Sequence, residues 1–454
     1  MNYGRPSSPS LGTAPQAPPT VTPLTQSSAE AYVASTCFKI GPPRRVGVEL
    51  EWFVHDSARP DSDPDPDKVA AALDTLRLDP DNPLLPLGSR LTREPGGQVE
   101  LSSPAAEGLT ECLETTRRDL DALRGAFTAQ GLTLAGYGTD PHPRERRILL
   151  RQPRYLAMDE FFGRAGPWGR IMMCVTASLQ VCLDAGTDAA DPRGFRQRWL
   201  LAHRLGPVLV AAFANSPLLD GRPTGYRSTR QAVWSRMDPS RTLAPAAVDG
   251  DPRLAWARYV LDAQVLCVRR PAGRPWNAPA GLTFRDWLRR PEAERPSLAD
   301  LDYHMTTLFP PVRPRGYLEL RMIDAQPGDG WLVPAVLTAA LFGDPRAAEA
   351  ALAALEPLEP HEAAANGAEP GPRGPAWTRA ATRGMDDPVL RKAALGCFAA
   401  ADSALAGQDG DGRLRRLLGE FAERYPVRGR CPADDLLDPP GARRATAPQE
   451  DAPC

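Results

Sequence analysis

A stretch of strict alternation constrains the fold more than any other feature of this sequence. In residues 45–54 apolar positions alternate with a second set that carries two glutamates: Val46, Val48, Leu50, Trp52 and Val54 against Gly47, Glu49, Glu51 and Phe53. A period of two predicts a β-strand with two different faces. One face suits a hydrophobic core. The other holds two neighbouring carboxylates, which repel each other unless a positive group lies between them. We therefore expect a metal ion at this face.

Three further strand-like stretches carry polar stripes. Their polar positions are Gln98 and Glu100, then Thr176, Ser178 and Gln180, and finally Glu319 and Arg321. Carboxylate and amide oxygens suit Mg²⁺, which takes a few carboxylates together with substrate phosphates. Arginines nearby suit bidentate recognition of carboxylate or phosphate. Any one stripe would also fit an ordinary exposed sheet face, but the combination indicates a metal–nucleotide site beside an anionic substrate.

Composition excludes several classes of protein. The net charge of −2 over 454 residues argues against a bulk binder of nucleic acid or anionic membrane. The eight cysteines form no C-x-x-C pair and no zinc-ligand spacing. No run approaches the roughly 20 apolar residues of a membrane span, and the N-terminus lacks the apolar segment of a signal peptide. We expect a cytoplasmic protein with reduced thiols.

The chain divides into one domain between two tails. Residues 1–25 and 432–454 lack periodicity and are predicted to be disordered, which leaves a single catalytic domain at 26–431. Strands are predicted at 45–54, 98–102, 132–137, 172–184, 263–268 and 315–322. Helices are predicted at 27–37, 68–78, 109–130, 192–213, 252–262, 332–356, 376–406 and 412–424. Because regular helices do not separate the strands, this order favours an α+β fold with an antiparallel sheet.

Common catalytic motifs are missing from the sequence. No lysine follows a glycine as in a Walker A loop, and neither G-x-S-x-G nor H-E-x-x-H occurs. Paired carboxylates also occur in glycosidases, and that alternative stays open. Four glutamates on three strands with arginines nearby favour metal ligation over an acid–base pair.

Five segments in order resemble the glutamate–cysteine ligases. They are Gly47–Trp52 (GVELEW), Arg93–Ser102 (REPGGQVELS), Met173–Asp184 (MCVTASLQVCLD), Ala214–Arg222 (ANSPLLDGR) and Tyr317–Arg321 (YLELR), with HMTTLFP at 304–310 before the last. The likeness is to the plant-like and bacterial branch, and within it to the actinobacterial enzymes that open the ergothioneine pathway. It extends from about residue 28 to about residue 430.

This resemblance implies a fold, a reaction and a site. The fold would be that of glutamine-synthetase-like carboxylate–amine ligases, a curved antiparallel sheet with a polar concave face and helices packed around it. The reaction would join L-glutamate to L-cysteine with ATP and Mg²⁺. The implied metal ligands are Glu49, Glu51, Glu94, Glu100 and Glu319. The implied catalytic arginines are Arg230, Arg241 and Arg321. The implied substrate- or cofactor-binding residues are Gln98, Thr176, Ser178, Gln180, Asn215, Arg227 and Trp234.

Two alternatives to this reaction also fit the resemblance. Relatives with the same fold join glutamate to other amines, and the motifs do not identify the acceptor. A non-catalytic relative that binds nucleotide or amino acid is the other alternative, and the intact set of glutamates argues against it.

Overall fold

The described part of the chain is built on one antiparallel sheet of seven strands. The computed structural model describes residues 24–79, 81–245, 248, 250–291, 294–358, 371–407, 410 and 412–439. The strands are β1 (Val46–Asp56), β2 (Arg90–Arg93), β3 (Val99–Ser102), β4 (Leu132–Ala135), β5 (Ser178–Asp184), β6 (Leu218–Leu219), β7 (Arg222–Pro223), β8 (Val312–Pro314) and β9 (Tyr317–Asp324). The sheet order is β2-β3-β1-β5-β9-β8, with β4 paired to β1, while β6 and β7 form a separate ribbon. The predicted α+β class with an antiparallel sheet is confirmed.

The helices surround this sheet. They are α1 (Gln26–Cys37), α2 (Pro66–Thr75), α3 (Leu109–Thr128), α4 (Pro153–Gly163), α5 (Trp168–Val175), α6 (Phe195–Ala212), α7 (Thr229–Trp234), α8 (Pro239–Thr242), α9 (Pro252–Asp262), α10 (Phe284–Leu288), α11 (Leu298–Met305), α12 (Leu332–Gly343), α13 (Pro345–Leu355), α14 (Pro375–Arg383), α15 (Pro388–Leu405), α16 (Arg413–Arg424) and α17 (Pro432–Leu437). Of the helices in the described ranges, none has the length and apolar character that crossing a membrane requires.

The two faces of β1 differ as its alternation predicts. Val48, Leu50 and Trp52 are at most 3% exposed and belong to the main hydrophobic core. That core also contains Trp199 and Leu205 of α6, so the apolar side of the sheet is covered by helices. Burial of this apolar area is the main favourable term in folding. The opposite face of β1 therefore carries the glutamates.

The predicted strand at 172–184 is wrong in its first half. Residues Trp168–Val175 form helix α5, and the strand begins only at Ser178. Buried Ile171, Cys174 and Val175 lie at helical spacing and pack in a second, smaller core. The apolar residues here satisfy a period of two and a helical period at once, and packing decides between them. The predicted strand at 263–268 is also wrong, since only isolated bridges form there.

Proline and glycine break the long C-terminal helices. The predicted helix at 332–356 is interrupted at Asp344, whose side chain accepts a hydrogen bond from Ala347 N and caps α13. The predicted helix at 376–406 is interrupted by a turn of 3-10 helix at Gly384–Asp386, before Pro388 begins α15. Asp and Pro are favoured at helix starts, so each interruption begins a new helix.

The predicted C-terminal tail begins too early. Residues 432–437 form α17, and Ala433 donates its backbone N–H to Ala214 O over 2.8 Å. Asp434 of this helix makes an ion pair of 2.7 Å with Arg227. Most of the predicted tails, 1–23 and 440–454, lies outside the described residues.

Replacing Ala433 by Asp tests whether α17 is part of the packed domain. Ala433 is fully buried, so the new carboxylate would be desolvated without a partner, and we expect the free energy of unfolding to fall by about 3 kcal/mol. The matched control is Pro439→Asp, which adds the same charge at an exposed position. Urea unfolding compares the two. Equal stability of both variants would mean that α17 does not pack on the domain.

Candidate active site

Strand register assembles the polar face of the sheet. All strand pairs involved are antiparallel, so side chains directly opposite each other share a face. The cross-strand pairs on this face are Thr92–Glu100, Glu51–Glu100, Glu49–Ser102, Glu49–Gln180, Cys182–Glu319 and Arg313–Glu319. Carboxylates thus occupy the β1 and β3 side of the face, and arginines occupy the β8 and β9 side.

This face lines a cavity of about 340 Å³. The predicted site residues on its wall are Glu49, Glu51, Glu94, Gln98, Glu100, Thr176, Ser178, Gln180, Arg230, Trp234 and Arg321. Strands supply most of them. Helix α7 supplies Arg230 and Trp234, and Glu94 comes from the turn between β2 and β3. The strand order of the sheet brings the strand residues together although they lie far apart in the sequence.

Glu51 and Glu100 are opposed like charges that are partly satisfied by hydrogen bonds. Glu51 accepts from the backbone N–H and the hydroxyl of Ser178, both over 2.7 Å, and from Gln180 Nε2 over 3.3 Å. Glu100 accepts from Thr92 Oγ1 over 2.7 Å. Burial raises the pKa of Glu100, and the nearby charge of Glu51 raises it further. The two side chains are held in place but not neutralised.

Glu49 and Glu94 have still fewer partners. Within the described residues, neither carboxylate accepts a protein hydrogen bond or forms an ion pair. Burial raises the pKa of Glu49 to about 8, with added repulsion from Glu319 and Glu100. Burial also raises the pKa of Glu94 well above its ordinary value, and the charges of Glu100 and Glu51 add to that. A carboxylate in this state needs a proton or an added cation.

Glu319 differs from the other glutamates because arginines already neutralise it. Its two oxygens accept from Arg313 Nε over 2.6 Å and from Arg313 Nη2 over 2.8 Å. Arg321 Nη1 donates to the same carboxylate. Burial alone would raise the pKa of Glu319, but the two guanidinium groups outweigh it and hold the pKa at about 2. The structure therefore gives this predicted metal ligand a pair of arginine partners.

Asp324 anchors the segment that carries Arg230 and Trp234 into the cavity. It accepts from Asn215 N over 2.9 Å, from Ser216 Oγ over 2.6 Å and from Ser228 Oγ over 3.0 Å. Ser228 in turn caps α7 through Gln231 N. Arg230 Nη1 lies 3.9 Å from Asp324. The start of α7 is thus tied to the end of β9.

Besides Glu319, three predicted site residues lie away from the cavity wall. Arg241 is fully buried, pairs with Asp238 and donates to Thr307 O, so its donors are used inside the protein. Arg227 pairs with Asp434 of α17. Asn215 donates its amide to Gly136 O and Ala325 O. These contacts use the polar groups of all three residues within the protein, and their roles in binding stay predictions.

The side chains of Gln98 and Thr176 form hydrogen bonds at the C-terminal end of helix α5. Gln98 Nε2 donates to Met173 O and Thr176 O, and Thr176 Oγ1 donates to Met172 O. Both side chains line the cavity, and Gln98 Oε1 has no hydrogen-bond partner among the described residues. Gln98 thus binds the end of α5 through its amide donor, while its buried carbonyl oxygen stays unsatisfied among the described residues.

Sequence reasoning missed several cavity residues. They are Pro95, Ser102, Arg154, Tyr155, Met158, Met172, Met173, Thr306, Phe309, Arg313 and Arg315. Arg313 lies in a strand of three residues, too short to show alternation. Arg154 lies in the first turn of α4, where Pro153 marks a helix start but nothing indicates its direction. The HMTTLFP segment, which contains Thr306 and Phe309, was one available signal. The segments Arg93–Ser102 and Met173–Asp184 were two others, since they contain Pro95, Ser102 and Met173.

The carboxylates of the cavity suit an open Mg²⁺ site that a phosphate completes, and they do not form a closed metal site by themselves. Among the residues that the structure describes, no group of three or more His, Cys, Asp or Glu is arranged to hold a metal ion. Glu49, Glu51, Glu94 and Glu100 nevertheless line one cavity, and burial raises the pKa of Glu49, Glu94 and Glu100. Mg²⁺ binds through one or two carboxylates plus substrate phosphates and keeps several waters. A site completed by a phosphate ligand needs no closed cluster beforehand.

The carboxylate cluster predicts an unusual dependence of stability on pH. Glu49 has an ordinary pKa of 4.5 and a folded-state pKa of about 8. Between these values the folded protein keeps a proton that the unfolded chain has lost, so the free energy of unfolding falls as pH rises. We expect a loss of about 3 kcal/mol from pH 5 to pH 8 in a chelating buffer.

Urea unfolding at a series of pH values measures this loss. Glu49→Gln has no carboxylate to titrate and should flatten the curve, while exposed Glu114→Gln should not change it. A wild-type curve that stays level or rises between pH 5 and pH 8 would contradict the charge state described above.

Comparison with known proteins identifies the family to which the chain belongs. The sequence matches the model of glutamate–cysteine ligase family 2 (GCS2) over residues 45–451. It is 39% identical over 429 residues to the glutamate–cysteine ligase EgtA of Mycolicibacterium smegmatis, with 92% of each chain covered. It is 31% identical over 345 residues to the chloroplastic glutamate–cysteine ligase of Arabidopsis thaliana, which covers 71% of this chain and 64% of the plant protein.

Solved structures show the same fold at low identity. A glutamate–cysteine ligase from Francisella tularensis in complex with AMP superposes with a TM-score of 0.50 at 12% identity, over 88% of this chain and 85% of that one. A bifunctional glutathione synthetase from Pasteurella multocida also gives 0.50, at 13% identity, over 87% of this chain and 49% of the other. With the extent of the family match and the mycobacterial likeness, the conclusion is plain: this chain belongs to glutamate–cysteine ligase family 2.

Proposed function

We propose that this protein joins the γ-carboxylate of L-glutamate to the amine of L-cysteine, with ATP converted to ADP and phosphate. The observation that carries this proposal is the division of one cavity into a carboxylate half and an arginine half. The carboxylate half suits a metal–nucleotide complex, and the arginine half suits the anions that react there. Family membership and the name of the mycobacterial relative support the same reaction.

The chemistry requires two displacements at one place. A γ-carboxylate oxygen of glutamate attacks the γ-phosphorus of ATP, the bond to the β,γ-bridging oxygen breaks, and ADP leaves. The cysteine nitrogen then attacks the carbonyl carbon of the γ-glutamyl phosphate, phosphate leaves, and the nitrogen gives up one proton. Phosphoryl transfer depends on alignment and on neutralising charge more than on covalent help from the protein. Arg230 and Arg321 on the cavity wall suit the second task.

We propose that Glu49, Glu51, Glu94 and Glu100 hold Mg²⁺ with the phosphates. The ion would neutralise charge on the transferred phosphoryl group. Glu51 and Glu100 face each other across β1 and β3, and their hydrogen bonds to Ser178 and Thr92 fix their direction. Fixed ligands place a phosphate without reorganisation when the reaction occurs.

A second cavity adjoins the first and suits the nucleotide. It has a volume of about 660 Å³ and shares Glu49 and Arg315 with the first cavity. Its wall also carries Lys39, Arg44 and Arg45, which are positive groups suited to phosphates. We propose that ATP lies across the shared wall, with its γ-phosphate beside Glu49.

The helical end of the first cavity suits the amine acceptor. Met158, Met172 and Phe309 make this end apolar and polarisable, which favours a thiol side chain. Arg154 lies among them, held by hydrogen bonds to Thr306 O and Oγ1. We propose that Arg154 binds the carboxylate of the acceptor amino acid.

The names of the relatives and the state of the cysteines bear on the compartment and the pathway of the reaction. We propose a cytoplasmic enzyme of small-molecule substrates whose product enters synthesis of a low-molecular-weight thiol, ergothioneine. The cysteines within the described ranges are all free thiols, as expected in a reducing compartment. The mycobacterial relatives carry the name EgtA.

Release of ADP tests the reaction directly. We expect ADP formation only when ATP, Mg²⁺, glutamate and cysteine are all present, with γ-glutamylcysteine formed in equal amount. Glu51→Gln should lower kcat by about 100-fold or more because a fixed charge at the phosphates is lost, whereas exposed Glu114→Gln should behave as wild type. Release of ADP without formation of γ-glutamylcysteine would contradict the proposal.

Matched acceptors test Arg154 and separate cysteine from other amines. Cysteamine has the thiol and amine of cysteine but lacks the carboxylate. We expect Arg154→Met to lower kcat/KM for cysteine by about 10- to 100-fold, the value of a charge-assisted hydrogen bond, and to leave cysteamine unaffected. Exposed Arg151→Met is the control. A higher kcat/KM of the wild type for a thiol-free amine than for cysteine would favour the different-acceptor alternative.

A further inference from the structure

Arg241 is a charged side chain that the protein encloses entirely. It has no exposed surface and lies away from the cavity wall. Its Nε donates to Asp238 Oδ2 over 2.9 Å, its Nη1 donates to Thr307 O over 2.8 Å and to Thr307 Oγ1 over 3.3 Å, and its Nη2 donates to Gln264 O. Burying a guanidinium is costly unless its hydrogen bonds are made. The three nitrogens of Arg241 thus bind three different segments of the chain.

One of these segments is the stretch 304–310, which contributes to the end of the cavity proposed for the amine acceptor. Besides binding Thr307, Arg241 accepts a hydrogen bond at its backbone O from Phe309 N over 2.9 Å. The neighbouring Thr306 accepts from Arg154 Nη1 at its Oγ1 over 2.8 Å and from Arg154 Nη2 at its backbone O over 2.9 Å. Arg241 and Arg154 therefore hold consecutive residues of one segment, and only Arg154 lines the cavity.

Arg241 also contacts the helix on which Arg154 lies. Its guanidinium carbon is 4.5 Å from the centroid of the Phe161 ring of α4. A cation–π contact of this kind is stronger when it is removed from water. Arg154, Met158 and Phe161 are separated by four and three residues, so they lie on one face of α4. The contact at Phe161 therefore fixes the rotation of α4 that directs Arg154 and Met158 to the cavity.

Two independent contacts thus connect Arg241 to Arg154. One passes through Thr307 and Thr306 to the guanidinium of Arg154, and the other passes through Phe161 to its backbone. An arginine recognises a carboxylate through donors of fixed geometry, so a small displacement of the guanidinium weakens the pair. Disturbing Arg241 would therefore misdirect Arg154 without removing it.

We propose that Arg241 is a positioning residue for the acceptor subsite, which holds the stretch 304–310 and α4 so that Arg154 meets the carboxylate of the acceptor amino acid. Arg241 acts through Arg154 and touches no substrate, which is an alternative to the direct catalytic role predicted from the sequence. The inference rests on the proposed function for the identity of the acceptor. A buried arginine with a purely structural role would affect all acceptors alike.

Binding of cysteine and cysteamine tests the proposal, because cysteamine lacks only the carboxylate. Calorimetry measures both affinities for the enzyme saturated with ADP, Mg²⁺ and glutamate. We expect the wild type to prefer cysteine by about 10- to 100-fold and Arg154→Met to remove that preference. Arg241→Lys keeps the charge but lacks the fork that reaches three acceptors, so it should lower the preference by about 10-fold and change the affinity for cysteamine by no more than about twofold.

Phe161→Leu provides a second arm if Arg241→Lys does not fold. It removes the aromatic face but keeps an apolar side chain, and it should lower the preference for cysteine by about two- to tenfold. Arg170→Lys is the matched control, because Arg170 pairs with Asp159 of α4 at an exposed position, and it should keep the wild-type preference. The double variant Arg154→Met/Arg241→Lys should show the same preference as Arg154→Met, because Arg241 acts through Arg154.

Hydrogen exchange of backbone amides separates this inference from the proposed function, since it needs no acceptor. We expect Arg241→Lys to exchange faster than the wild type at Phe309 and in α4, with β1 unchanged, because local contacts set the rate of local opening. A wild type that binds cysteine and cysteamine equally would refute the proposed acceptor subsite. Faster exchange at Phe309 and α4 would still support the hold of Arg241 on the segments around Arg154.

Three results would overturn the proposal. They are unchanged exchange at Phe309 and in α4 of Arg241→Lys, a wild-type preference for cysteine over cysteamine in both Arg241→Lys and Phe161→Leu, and a double variant whose preference falls below that of Arg154→Met. The second result would show that Arg241 has a structural role alone.

Discussion

Unbalanced charge on the polar face of the sheet is the constraint on which the rest of the structure depends. Glu51 and Glu100 are directly opposed, and Glu49 and Glu94 lie in the same cavity without protein partners among the described residues. Like charges at directly opposed sheet positions are destabilising. The protein tolerates them because a large apolar core on the other face supplies the stability. That tolerance leaves these carboxylates free for the metal–phosphate complex that we propose.

The two halves of the polar face differ in how their buried carboxylates are neutralised. On the β8 and β9 side, Arg313 and Arg321 neutralise Glu319 within the protein, and the result is a rigid guanidinium array. On the β1 and β3 side, no arginine among the described residues pairs with the carboxylates, and we propose that an added ion neutralises them. A reaction between a nucleotide and a carboxylate needs both environments, one for the metal and one for the anions. Strand order places β5, with its hydroxyl and amide groups, between them.

Particular residues show how much of this the sequence could predict. The alternation around Glu49 and Glu51 predicted the strand and its polar face, because a period of two leaves no other regular structure. Register could not be predicted, since nothing in β3 alone places Glu100 opposite Glu51. Arg241 and Arg230 look equivalent in sequence. Asp238, three residues before Arg241, pairs with it locally and takes it into the core. Arg313 and Arg154 had no periodic pattern to reveal them.

The most direct measurement of the central claim is the position of the metal. Crystals grown with ADP, glutamate and Mn²⁺ in place of Mg²⁺ would locate the ion by its anomalous scattering. The account predicts an ion bound by carboxylate oxygens of the Glu49, Glu51, Glu94 and Glu100 group at about 2.1 Å, bridged to ADP, with Arg313 still paired to Glu319. An ion bound elsewhere, with Glu49 and Glu51 more than about 5 Å from any metal or ligand atom, against a bond of about 2.1 Å, would contradict it.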